Sequence, residues 1–281
     1  MFNSVLAVDI DSYIVDFKDR VSALSLAKPI LLDNAELKEL PKKAIEAVDA
    51  LMVSIYKDIN EEFLRALPSL RYVGVLGTST KKLDTAYCKK NGIQVSVVKE
   101  YCDDDTAEWV ILQILKFFRS RSEPESAFHK CLGIIGFGSV GKKLAHKADG
   151  LGMRVFINTL SAEVGKYEEA SKEHIFAHCD VVSFHTPSHS PWLLKEQLKH
   201  TKKNGLLINT CFGAIDKDHA LKDFLSERPD VTLVLDQVAK VSYEDLPPSV
   251  IVGKDWAYQT KDATMRLIER FFEQAQKACK E

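Results

Sequence analysis

The stretch "CLGIIGFGSVGKKLAHKADGLGMRVFIN", residues 131–158, decides the fold. A short apolar run, Leu132–Ile135, reads as a buried strand and passes directly into Gly136-Phe137-Gly138-Ser139-Val140-Gly141. A helical pattern leaves at once, and a second apolar run, Arg154–Ile157, closes the unit. Each glycine has a mechanical use: Gly136 permits the tight turn, Gly138 lets a pyrophosphate approach the main chain, and Gly141 lets the helix pack on the strand. Free amides at the helix start face the phosphates with the positive end of the helix dipole. A glycine turn alone is a weak signal. Strand, turn, helix and next strand in this order predict a dinucleotide-binding unit.

The residues after the second strand bear on which dinucleotide. An acidic residue about 20 positions beyond the first glycine would hold the adenosine ribose hydroxyls of NAD. Here the chain reads Asn158-Thr159-Leu160-Ser161. No carboxylate repels a 2′-phosphate there, and Asn158, Thr159 and Ser161 offer hydrogen-bond donors to it. The expected cofactor is NADP or NAD, with NADP preferred.

Upstream, apolar runs alternate with amphipathic segments. Strands are predicted at Val5–Val8, Ile30–Leu32, Ala50–Val53, Tyr72–Val75 and Gln94–Val97. Between them "DFKDRVSALSLA", "INEEFLRAL" and "STKKLDTAYCKKNG" repeat apolar residues at helical spacing, and "KKNG" supplies a helix stop. Repeated βα units with short loops imply parallel sheets covered on both faces. "DDDTAEWVILQILKFFRSR", residues 103–121, is one unbroken helix with acid at its N-terminus and arginine at its C-terminus. The polar stretch that follows it marks a seam between two domains.

Composition narrows the function classes. The chain has 281 residues, enough for two cores; 46% are hydrophobic, 28% are charged, and the net charge is −2. No global basic field recruits nucleic acid or an anionic membrane. No apolar run is long enough to span a bilayer, and the N-terminus lacks a basic region and cleavage site, so a cytoplasmic location is expected. The six cysteines show no Cys-x-x-Cys pairing and read as reduced thiols, and no metal is called for.

Downstream, "LLINTCFGAIDKDHALKDFL", residues 206–225, predicts a buried strand at Leu206–Asn209, a turn at Gly213 and a helix N-cap at Asp216. Where that strand ends, an α/β enzyme usually displays its chemistry. This chain displays Cys211 and the apolar Phe212. Cys211 reads as a small buried residue at a strand end.

From about Leu70 to Thr260 the sequence resembles the D-isomer-specific 2-hydroxyacid dehydrogenases. The motifs that carry the resemblance are "LRYVGVLGTSTKKLDTAYCKKNGIQV", "DDDTAEW", "GIIGFGSVG", "CDVVSFHTPSHS" and "LLINTCFGAIDKDHALKDFL". The resemblance implies an α/β fold of two Rossmann-like domains. A flavodoxin-like substrate domain spans 1–103 and is completed by a C-terminal helix within 257–281; a dinucleotide-binding domain spans 104–256. It assigns Gly136, Gly138, Ser139, Val140 and Gly141 to the pyrophosphate turn. His185, Thr186, Pro187 and Thr210 would line the cofactor site, and Asp236 would hold the nicotinamide carboxamide. Gly77, Thr78 and Ser79 match a loop whose amides bind a substrate carboxylate.

The family's catalytic arginine, glutamate and histidine fall on Phe212, Val241 and Lys254-Asp255, so all three are replaced. Phenylalanine cannot make a bidentate carboxylate clamp, and losing such a preorganised charge raises the barrier by several kcal/mol. Lys240, Asp255 and Tyr258 stand near the vacated positions as replacement acid, base or anion-binding groups. Phe212 and Trp256 suggest an apolar substrate pocket. The segment Arg119–Lys130 is shorter than the family's dimerisation arm, which leaves a homodimer as a base-rate expectation. Two readings stay open: an NAD(P)-dependent oxidoreductase with an altered small-molecule substrate, or a cofactor-binding protein that has lost catalysis and acts as a sensor or interaction partner.

Overall fold

The computed structural model of the chain describes residues 1–10, 16–32, 37, 40–160, 163–186, 193–211, 215–217, 220–240, 244–254 and 256–280, without the side chains of Val238 and Lys240. It forms two compact units, Met1–Tyr101 with Lys261–Glu281, and Cys102–Thr260.

The first unit alternates β1 (Val5–Val8), α1 (Phe17–Ser22), β2 (Ile30–Leu32), α2 (Lys42–Ala47), β3 (Ala50–Ser54), α3 (Glu61–Arg65), β4 (Tyr72–Leu76), α4 (Thr85–Lys90) and β5 (Gln94–Val97). The strands pair in parallel in the order β2-β1-β3-β4-β5, which is the flavodoxin-like arrangement. β1 and β3 are buried along their whole length. That is why they read as continuous apolar runs with no alternation. The C-terminal helix Lys261–Ala278 returns to this unit: Phe272 packs on Phe17, and Gln274 donates from Nε2 to Val97 O at 3.1 Å.

The helices here are shorter than the sequence pattern predicts. Residues 79–83 belong to a turn, and the helix begins only after Asp84, whose carboxylate accepts from Tyr87 N at 2.9 Å. Leu83 bridges to Ile59, so its apolar side chain serves the sheet side of a loop rather than a helical face. The stop is as read: Gly92, just past the C-cap Asn91, adopts φ +69.

The second unit runs through α5 (Asp103–Arg119), β6 (Cys131–Ile135), α6 (Ser139–Gly150), β7 (Arg154–Asn158), β8 (Glu168–Glu169), α7 (Lys172–His178), β9 (Val181–Phe184), α8 (Lys195–Leu198), β10 (Leu206–Asn209), α9 (Ala220–Glu227), β11 (Thr232–Leu235), α10 (Gln237–Lys240) and β12 (Val250–Val252). Its parallel sheet has the order β12-β11-β10-β9-β6-β7-β8, a Rossmann arrangement with the switch between β6 and β9. Successive strand residues feed opposite faces. Leu132, Ile134, Val155, Ile157, Leu206 and Ile208 join a core with α5 and α6; Ile135, Phe156, Phe184, Leu207, Leu233 and Leu235 join one with α7 and α9. At roughly 25 cal/mol per Å² of buried apolar surface, these two layers are the main stabilising term of the unit.

Residues 257–260 pack with this second unit. Ala257 N donates to Asp236 Oδ1 at 3.0 Å, and Thr260 Oγ1 donates to Asp105 Oδ1 at 2.5 Å. Asp216 lies ahead of α9, and its Oδ2 accepts from Leu221 N at 3.1 Å, so the carboxylate serves the helix start from a distance. Among the described residues, no helix is long and apolar enough to cross a membrane.

Candidate functional site

The site is built on the carboxyl edge of the second unit's sheet. β6 ends at Ile135, and Gly136 turns the chain with φ +98. A Cβ at Gly136 would lie 2.2 Å from the carbonyl oxygen of His185, which follows the neighbouring β9. Only glycine fits, on both backbone and space. Gly141 is equally constrained: its Cβ would meet the Gly136 carbonyl at 2.4 Å, so α6 can approach the turn only without a side chain there. Gly138 differs. It is exposed, and a Cβ on it would meet nothing within 4 Å.

This is the arrangement a dinucleotide requires. α6 starts at Ser139 with no side-chain cap and no acid in its first turn. Its first N–H groups therefore have no intrahelical partner, and the space beside Gly138 just before them is open. The residues present fit a pyrophosphate, with Gly138, Ser139 and Val140 presenting the amides. Gly136 and Gly141 set the shape.

At the end of β7, Asn158 donates from Nδ2 to Ala170 O at 2.8 Å, so one of its two amide N–H groups fixes the chain beyond β8. Thr159 is half-buried beside it and Leu160 is fully exposed. Ser161 lies outside the described residues.

On the other side of the switch point, His185 is held at both ring nitrogens. Nε2 lies 2.9 Å from Ser183 Oγ, and Nδ1 lies 3.5 Å from Thr210 Oγ1 at the end of β10. Its main-chain N–H donates to Ile135 O at 2.8 Å. Burial pushes its pKa down to about 4, so the ring is neutral near pH 7 and serves as a hydrogen-bonding strut, not an acid. Ser183 was not anticipated, although its i, i+2 spacing from His185 places both on one face of β9. Thr186 is half-buried at the same edge, and Pro187 lies outside the described residues.

The next strand ends continue the edge. Asn209 is fully buried, and its Oδ1 accepts from Cys211 N at 2.9 Å. Cys211 Sγ donates to Phe184 O at 3.3 Å, and burial raises the thiol to about 11. It is an inert core group, as its position suggests. Asp236, almost completely buried after β11, receives Ala257 N and gives its own N–H to Asn209 O at 3.1 Å. Trp256 is 37% exposed and meets Tyr258 edge-on, centroids 5.8 Å apart. Lys240 closes α10, with its side chain outside the described residues, as are Phe212, Val241 and Asp255 entirely.

In the first unit, the loop after β4 carries Gly77 at φ +139, where a Cβ would strike Ile55 Cγ2 at 2.4 Å. Thr78 is exposed and Ser79 half-buried, its Oγ accepting from Lys81 N at 3.2 Å. Among the described residues, the main-chain N–H groups of Thr78, Ser79 and Thr80 donate to no protein acceptor. Successive amides of this kind form a concavity for an anion.

The family description "D-isomer specific 2-hydroxyacid dehydrogenase, NAD binding domain" matches residues 106–250. Erythronate-4-phosphate dehydrogenase of Escherichia coli O1:K1 / APEC is 29% identical over 208 residues, covering 71% of this chain and 54% of that protein. The enzyme of the same name from Pseudomonas fluorescens Pf-5 is 29% identical over 216 residues, covering 72% and 56%. The chain thus spans about half the length of the curated relatives it matches. Among solved structures, a D-lactate dehydrogenase from Aquifex aeolicus complexed with NAD and lactic acid superposes with a TM-score of 0.78 at 21% identity, covering 98% of this chain and 95% of that one. An acyclic imino acid reductase, Bsp5, in complex with NADPH and D-Arg gives 0.80 at 20% identity, covering 98% and 96%. At those identities the superpositions speak for the fold alone. The fold, the glycine turn with its open helix start, and the family match over half of the chain agree: the chain belongs to the D-isomer specific 2-hydroxyacid dehydrogenase family and carries its NAD-binding domain.

Proposed function

We propose that the chain is an NAD(P)-dependent oxidoreductase whose substrate or chemistry departs from that of the ordinary 2-hydroxyacid dehydrogenases. The observation that carries the cofactor half of this reading is the glycine turn: Gly136 and Gly141 admit no side chain, while Gly138 opens to free space beside an uncapped helix start. The departure rests on sequence. Phe212, Val241 and Lys254-Asp255 occupy the positions where the family places its arginine, glutamate and histidine.

In this reading a bound nicotinamide cofactor supplies or accepts the hydride. The protein's own groups do the rest. Gly138, Ser139 and Val140 bind the pyrophosphate through main-chain amides, and Thr159 lies by the adenosine ribose. Neutral His185 braces Thr210 in the cofactor cleft, Thr186 and Pro187 match its adenosine side, and Asp236 holds the nicotinamide carboxamide. Gly77, Thr78 and Ser79 offer amides to a substrate carboxylate. Lys240, Asp255 and Tyr258 are the candidates for moving a proton or holding an anion, and Phe212 and Trp256 for lining the substrate pocket. A small-molecule substrate, a cytoplasmic setting and a two-fold homodimer complete the proposal.

The test pairs binding with turnover. NADPH and NADH affinities are measured by calorimetry for the wild type and for Gly138→Asp, which sets a carboxylate against the pyrophosphate. NADPH oxidation is then followed over a panel of 2-oxo acids, other carbonyls and imines, with erythronate 4-phosphate and oxidised cofactor as the arm named by the curated relatives. The reading expects cofactor binding lost in Gly138→Asp and turnover outside the simple 2-oxo acids. Robust reduction of pyruvate or glyoxylate refutes the altered chemistry. Tight cofactor binding with no turnover anywhere on the panel decides for a non-catalytic sensor.

A further inference from the structure

The carboxyl edge of the second unit's sheet can be followed from one strand end to the next. Gly136, after β6, lies against the His185 carbonyl after β9. The His185 ring reaches Thr210 after β10. Asn209 O accepts from Asp236 N after β11, and Asp236 Oδ1 accepts from Ala257 N. Neighbouring strands are spaced about 4.8 Å apart, so the glycine turn and the end of β11 are three steps, roughly 14 Å, from one another. The adenosine half of a dinucleotide lies on the β7 side of the glycine turn, which sends the nicotinamide half over β9 and β10. The end of β11 is then the substrate side of the reactive ring.

What stands there is aromatic. Trp256 keeps 37% of its surface exposed although the residue that follows it, Ala257, is tied to Asp236. Tyr258 meets it edge-on, at 5.8 Å and 78°. The base beneath the pair is rigid. Gly253 N donates to Leu235 O at 2.8 Å, and Gln237 donates from Nε2 to Gly253 O at 2.6 Å. Trp109 fills the space where a Gly253 side chain would be, at 2.4 Å, and Gln259 N closes a turn onto Trp256 O at 3.0 Å. An exposed indole held this firmly is a preformed apolar face. Its burial against a ligand ring costs no reorganisation, and edge-to-face or stacked contacts add to the area term. A methyl group would cover only a fraction of it.

We infer that Trp256 and Tyr258 form the substrate-side wall and select a small acid bearing an aromatic or bulky apolar group. The inference rests on the nucleotide reading above and names the substrate class for the same site. It is tested by calorimetry on the full chain saturated with NADP+, with phenylpyruvate and pyruvate as the paired probes. These share a carboxylate and a ketone and differ in the ring, and the oxidised cofactor prevents their reduction. The wild type is expected to bind phenylpyruvate at least about tenfold more tightly than pyruvate. Trp256→Ala should erase that preference, Trp256→Phe should keep most of it, and NADP+ affinity should be unchanged in both variants. Equal binding of the two acids by the wild type overturns the inference, as does a preference that survives Trp256→Ala. A Trp256→Ala variant that loses NADP+ affinity along with phenylpyruvate also overturns it, because the indole would then cover the cofactor. If NADP+ fails to bind the wild type, the nucleotide reading falls and this inference with it; NADP+ binding without an aryl preference removes this inference alone.

Discussion

Replacing His185 with asparagine removes an imidazole that the fold keeps neutral, and the consequence is a change in how stability depends on pH. Burial holds the folded pKa at about 4 against an ordinary 6.5. Above the unfolded value neither state carries the proton and the full stability is present. Between the two values the unfolded chain binds a proton that the folded chain refuses, so stability falls as pH falls. The loss is complete below the folded pKa. A gap of about 2.5 units at roughly 1.36 kcal/mol each gives about 3 kcal/mol, a ceiling because His185 is only half-buried by surface area. At neutral pH the asparagine variant is the weaker protein, by about 1–2 kcal/mol for the lost bonds to Ser183 and Thr210. Its acid dependence lacks the His185 contribution, so the deficit should shrink as the pH drops and vanish or reverse near pH 4. Urea denaturation followed by tryptophan fluorescence measures this, since all three tryptophans (Trp109, Trp192 and Trp256) lie within Cys102–Thr260, the unit that carries His185. Every other titrating group cancels in the difference between the two proteins. A deficit that stays constant from about pH 7 to about pH 4 would mean that His185 titrates normally and that its burial argument is wrong.

The glycines separate fold from binding. Gly138→Asp should keep the wild-type melting temperature, because its Cβ meets open space, yet abolish NADPH binding, a loss of at least roughly a hundredfold, about 2.8 kcal/mol. Gly141→Ala should instead cost about 3 kcal/mol of stability by driving a methyl into the Gly136 carbonyl, and a normal melting temperature would refute that packing. NADPH is expected to bind more tightly than NADH through the polar loop after β7, and calorimetry giving the reverse order removes the argument. Cys211, raised to about 11 by burial, should resist an aromatic disulfide reagent at neutral pH in the native protein and react only on unfolding; rapid native labelling, mapped by mass spectrometry, would contradict its burial.

The parts of this fold legible in the sequence are those whose cause is local. The glycine turn could be read because each glycine answers to atoms a few residues away or to the strand immediately beside it: Gly141 to the Gly136 carbonyl, Gly136 to its own φ. Strand positions could be read because parallel strands buried on both faces leave unbroken apolar runs. Helix lengths in the first unit could not. In "STKKLDTAYCKKNG" the apolar spacing continues through Leu83, but that leucine pairs with Ile59, earlier in the chain and beyond α3 and β4, and Asp84 caps the helix behind it. Periodicity reports which residues are buried; it does not report against what.

The same distinction decides what could be known of the site. The bond from Asn158 to Ala170 O could not be read, because that acceptor arrives through β8, a two-residue strand with no apolar signature of its own. His185 was visible as a motif residue, yet the partner of its Nδ1 is Thr210, brought within reach by the pairing of Phe184 with Asn209 between β9 and β10. A one-residue slip of that register would turn Thr210 to the opposite face and leave the imidazole Nδ1 without this partner. Hydrogen-bond commitment is therefore a property of register, and register is a long-range fact. This is also why Trp256 carries more meaning in the fold than in the sequence. An indole near a chain seam is ordinary, whereas an indole whose neighbour Ala257 is anchored to a buried carboxylate, at the far end of the edge that begins with the glycine turn, offers an exposed aromatic face beside the strand ends.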